Sequence, residues 1–161
     1  MEKNRRHNRR FLFLFRLMYS GDMQIFRKRK RFRIANNDDL TAGEKAGKLF
    51  RAGDNCAQAV LQATCPGVRE ELVEMADVFG GGIDNSKCLC GAVAGAAMSL
   101  SLQGRGDRAS DVVDEFKERF KTTCCKGLTA RYDWLGQEHL ENCRELTAAT
   151  ADMVARLLEE K

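Results

Sequence analysis

The chain has 161 residues, 43% of them apolar, which suits one hydrophobic core rather than two domains. Its formal charge of +4 averages two unlike parts: residues 1–34 carry twelve Lys/Arg against Glu2 and Asp22, a balance of +10, and the remainder stands at −6. An acidic main part excludes a basic nucleic-acid-binding body, and a single proline, Pro66, leaves helix unopposed along the chain.

Residues 1–37 read as a basic N-terminal extension without structure of its own, and 38–161 as the folded domain. Arg5, Arg6, Arg9 and Arg10 precede Phe11–Phe15 and so imitate the start of a signal peptide. Arg16 breaks the run, however, and the apolar stretch is far below the roughly 18 residues of a membrane span. No export is expected, and the expected setting is the cytoplasm of a bacterium. The basic run Arg27–Arg33 is suited to weak, salt-sensitive binding of anionic surfaces; no specific nucleic acid is expected. An extension of this kind also arises when translation is assigned to start upstream of Met18 or Met23.

The domain opens on a capping box, Thr41-Ala-Gly-Glu44, which predicts a helix to about Arg51. Gly53 breaks it, and Asp54 or Asn55 caps a second helix that turns Cys56, Ala59, Val60 and Ala63 inward. Pro66-Gly67 ends that element. A third helix spans Arg69–Phe79, with Leu72, Val73, Met75 and Ala76 available to the core, and Gly80–Gly82 forms a loop. Cys88–Leu102 carries no charge and has Gly91 and Gly95 four residues apart, which predicts a buried central helix rich in small residues. Ser110–Lys121 is amphipathic, with Val112, Val113, Phe116 and Phe120 inward. The last helix, from about Gln137 to Glu160, directs Leu140, Cys143, Leu146, Thr147, Thr150, Met153, Val154 and Leu157 to one side. The expected fold is an all-α, single-domain bundle of about five or six helices.

Seven cysteines, at 56, 65, 88, 90, 124, 125 and 143, are too many and too odd in number for a routine disulfide framework in a chain without an export signal. Inward helical positions bring Cys56, Cys90 and Cys143 toward one another, and Cys125 joins them if its loop folds over the bundle end. Four convergent thiolates suit zinc or an iron–sulfur cluster, and two close thiols suit disulfide exchange; spacing alone does not choose. Haem is not expected, since no C-x-x-C-H occurs. Gly80–Gly82 lacks the lysine and hydroxyl residue of a phosphate loop. A hydrolytic cysteine would need His139 as its base, and no local signature supports that; His139 is read as a surface or cap residue.

Asn55-Cys-Ala-Gln-Ala-Val-Leu61, Phe79-Gly-Gly-Gly-Ile83, Cys90-Gly-Ala-Val-Ala-Gly95, Glu115-Phe-Lys-Glu-Arg-Phe120, Cys125-Lys-Gly-Leu128 and Asn142-Cys143 follow one another in the order of a known pattern. From about Glu44 onward the chain resembles the C_GCAxxG_C_C family of redox-active proteins. The resemblance implies that Cys56, Cys90, Cys125 and Cys143 form the functional set, catalytic, cofactor-binding or metal-binding, with Cys65, Cys88 and Cys124 additional; Lys121 stands where relatives often have glycine. It implies electron or thiol chemistry with a redox partner it does not identify. The competing reading is a non-catalytic helical interaction module in which the cysteines only pack.

Overall fold

A computed structural model describes residues 25–160. The calls on residues 1–24 lie outside those described. Residues 25–35 are helical, so the extension is not coil throughout, and the described residues from Ile34 onward group as one compact unit.

Seven α-helices build this unit: α1 Ala42–Arg51, α2 Cys56–Thr64, α3 Glu70–Met75, α4 Gly91–Leu102, α5 Ala109–Phe120, α6 Cys125–Thr129 and α7 Gln137–Glu159. Short 3-10 turns follow α3 at Ala76–Phe79 and precede α5 at Gly106–Arg108. The class is all-α, and no strand forms among the described residues, although an isolated antiparallel bridge joins Leu89 to Cys124. The helix beyond the expected five or six is α6, a single turn too short to show a period in the sequence.

Local chemistry sets the helix starts. Thr41 accepts from the Glu44 amide at 3.2 Å while the Glu44 carboxylate accepts from the Thr41 amide at 2.9 Å, completing the box. A second box begins α2: Asn55 Oδ1 accepts from the Ala57 and Gln58 amides at 2.9 and 3.0 Å, and Gln58 Oε1 accepts from the Asn55 amide at 3.1 Å. Such a cap is worth about 1 kcal/mol, and this one fixes the first residue of α2, which is Cys56.

The core is formed where α7 lies against α1, α2 and α4, and where α2 lies against α4. Leu49, Val60, Leu100, Val112, Phe116 and Val154 are fully or almost fully enclosed. In α4, Gly91 to Ala96 are buried without interruption. Gly95 explains how: a Cβ there would stand 2.4 Å from the Ala57 carbonyl oxygen, so only hydrogen permits the two backbones to meet. Two residues depart from their expected faces. Met75 is exposed because it lies two positions beyond buried Val73, on the opposite side of the short α3. Leu140 is likewise 41% exposed, at the mouth of a cavity described below.

Helix α5 stops at Lys121, whose φ of +71° is the left-handed conformation that glycine favours. An L side chain there costs roughly 1 kcal/mol. Lys121→Gly is therefore expected to raise unfolding stability by about 1 kcal/mol, read from the urea midpoint at unchanged slope.

Candidate functional site

Three structural devices converge on one end of the bundle. The Asn55 cap presents Cys56 as the first residue of α2. A backbone clamp then joins the approach to α4 with that to α6: the Cys90 amide donates to the Thr123 carbonyl at 2.8 Å, and the Cys125 amide donates to the Cys88 carbonyl at 2.9 Å. Cys90 and Cys125 thus sit beside one another at the starts of two helices, both buried. Finally α7 carries Cys143 past Cys56 one turn after His139.

Cys56, Cys90, Cys125 and Cys143 all line one cavity of about 250 Å³. The three additional cysteines do not line it: Cys88 and Cys124 are exposed and Cys65 is half-buried elsewhere. All seven are free thiols.

The thiols are electrostatically unequal. Cys56 is pulled below its ordinary pKa, chiefly because the Cys143 thiol can hydrogen-bond to its thiolate; burial opposes this, and the Thr147 hydroxyl and the Cys56 amide at the helix start assist. Cys143 is pushed up by that same bond, by burial and by the Cys56 charge. Cys90 is pushed up by burial and then by the charge of Cys56. Cys125 rises through burial and neighbouring thiolates, against the pull of Lys87. Cys56 is thus the one thiol of the four whose acidity the site raises, while Cys90, Cys125 and Cys143 are held less acidic.

His139 is a correction to the sequence reading. It is 3% exposed and lines the cavity, so it is not a surface residue; the cap reading survives only in its bond to the backbone amide just ahead of α7. Its Nδ1 accepts from the Leu135 amide at 3.1 Å, so in the neutral ring the proton lies on Nε2, which faces Cys143 Sγ at 3.6 Å. Burial, followed by the Lys87 charge, holds the imidazole below its ordinary pKa and so favours the neutral ring. The ring is accordingly a donor to the Cys143 sulfur and not a base for it. Trp134 packs on the imidazole at 4.5 Å between centroids, and the Lys87 ammonium lies 4.0 Å above the Trp134 ring. Sequence inspection could have flagged His139 from its i, i+4 relation to Cys143, the relation Thr147 also has on the inward face; Trp134 and Lys87 gave no comparable signal.

Four thiolates have the right softness for zinc or an iron–sulfur cluster. Among the described residues, no ready-made group of three or more His, Cys, Asp or Glu ligands is present.

The described residues thus form a helical bundle that gathers four free thiols, unequal in acidity, around one small cavity. The family model described as "Putative redox-active protein (C_GCAxxG_C_C)" matches residues 54–157, and the chain belongs to that family. No curated protein and no solved structure matches it. No helix among the described residues is long and apolar enough to cross a membrane.

Proposed function

We propose that the protein performs thiol–disulfide exchange, with Cys56 as the attacking thiolate and Cys143 as its resolving partner. The observation that carries this is the placement of Cys56, at the start of α2, and Cys143 in the lining of one small cavity, with the Cys143 thiol as the chief influence that lowers the Cys56 pKa. The Cys56 sulfur attacks one sulfur of an incoming disulfide, forming a mixed disulfide and expelling the other half as a thiolate, which takes a proton from solvent. Cys143 then attacks the Cys56 sulfur, and the proton it gives up passes to the departing sulfur. The Cys56–Cys143 disulfide forms, the second half leaves as a thiol, and two electrons have passed from the protein to its partner. Cys90 and Cys125 line the same cavity and serve as further thiols within reach of the pair. Seven free cysteines favour a reducing compartment such as the cytoplasm for this chemistry.

Titration of the reduced protein against a dithiol redox buffer is expected to give one two-electron transition that Cys56→Ser or Cys143→Ser abolishes and Cys65→Ser leaves at the same midpoint. Survival of the transition in both site variants would overturn the assignment. So would stoichiometric iron, zinc or sulfide in anaerobically purified protein, lost on replacing any of the four cysteines; that result would return the set to a metal-holding role.

A further inference from the structure

We infer that the cavity selects a small, uncharged disulfide with an apolar body and discriminates against carboxylate-bearing ones, an inference that rests on the exchange chemistry proposed above. Three observations carry it. At about 250 Å³ the cavity is smaller than the usual 300–1,000 Å³ of drug-sized sites, so only a compact molecule enters. Its walls are Phe50 from α1, Leu128 from α6, Trp134 and Leu135 from the loop before α7, and Leu140 and Leu146 from α7. Leu135 and Leu140 are 64% and 41% exposed, giving the entrance an apolar rim that an apolar guest would cover.

The third observation is the charge of the lining. Among the described residues that line the cavity there is no lysine or arginine, and the carboxyl side chain present is Asp54, itself 3% exposed with Oδ2 accepting from Gln62 Nε2 at 2.9 Å. Lys87 is near but lies over the indole face of Trp134, outside the lining. A guest carboxylate would have to shed water beside a cysteine thiolate and Asp54 with no lining cation to meet it, which is costly. A methylene placed against the leucines instead contributes about 0.8 kcal/mol.

The test uses two aromatic disulfides on the reduced full chain at pH 7: neutral 4,4′-dithiodipyridine and dianionic 5,5′-dithiobis(2-nitrobenzoate). Reaction at each cysteine is followed by peptide mass analysis, at Cys56 as the sum of reagent adduct and Cys56–Cys143 disulfide, with exposed Cys124 as the internal reference that removes the reagents' own difference in reactivity. The neutral-to-anionic rate ratio at Cys56 is expected to exceed that at Cys124 at least tenfold. Leu140→Lys, which adds a cation at the rim, is expected to narrow the gap by speeding the anionic reagent. Equal ratios at Cys56 and Cys124, or a Cys56 that neither reagent reaches, would overturn the inference. The exchange chemistry fails separately, by absence of a Cys56–Cys143 disulfide in the redox-buffer titration, so the two failures are distinguishable.

Discussion

Gly95→Leu is expected to destabilise the fold by on the order of 3 kcal/mol or more, beyond the usual range for overpacking, because the neighbour it meets is backbone. A Cβ at position 95 would stand 2.4 Å from the Ala57 carbonyl oxygen and 2.9 Å from the Ala57 Cα. No rotamer change relieves this; α4 and α2 must separate. Gly91, one turn earlier, makes the companion approach, since a Cβ there would fall 2.8 Å from the Phe79 carbonyl oxygen and 3.3 Å from the Cys56 Cβ. The small-residue face thus does more than save volume. It brings the start of α2, with Cys56, against the start of α4, beside Cys90. Chemical denaturation should show the loss as a lowered midpoint, and Gly95→Ala should already show part of it. A Gly95→Leu protein as stable as the parent would mean that this face tolerates separation.

That close approach was readable from sequence because glycine inside a helix costs about 1 kcal/mol relative to alanine and needs a compensating reason. The capping box at Thr41 was readable too, as a local pattern whose two bonds involve residues three apart. The same logic identified the end of α2 before Pro66-Gly67, since proline forbids the next turn. What sequence could not give was the clamp between Cys88–Cys90 and Thr123–Cys125. It consists of backbone bonds between segments more than thirty residues apart, and backbone groups leave no mark on side-chain periodicity. For that reason α6 was invisible, and Cys125 could be preferred to Cys124 only through family resemblance. The structure supplies the physical difference: Cys125 opens α6 inside the cavity, while Cys124 caps it from the exposed side. His139 was misread for a related reason. Its partners are the Leu135 amide, in a loop whose path sequence did not define, and a ring contact with Trp134. A composition-based view treats a single histidine as a surface residue, and only the fold shows it enclosed.

Cys143→Ala is expected to move the Cys56 pKa upward and to slow its alkylation at neutral pH at least tenfold. The sign follows from the balance at Cys56. The bond from the Cys143 thiol is the largest influence favouring the thiolate, ahead of the Thr147 hydroxyl and the helix-start amide, while burial favours the thiol. Removing the sulfhydryl deletes the strongest lowering influence and leaves burial in place. One pKa unit corresponds to about 1.4 kcal/mol, and to tenfold in thiolate population when the pH lies below both values. The remaining donors are constrained. The Thr147 hydroxyl has one proton, which it also offers to the Cys143 carbonyl at 2.7 Å, so it cannot replace the lost bond without giving up that one. Cys143→Ser retains an O–H in the same place and should shift the pKa less than alanine does. The measurement is the rate of iodoacetamide capture at Cys56 as a function of pH, in a background with Cys65, Cys88 and Cys124 replaced by serine. An unchanged midpoint in Cys143→Ala would show that Cys56 owes its acidity to the Thr147 hydroxyl and the helix start, and the pair would lose its basis as attacking and resolving thiols.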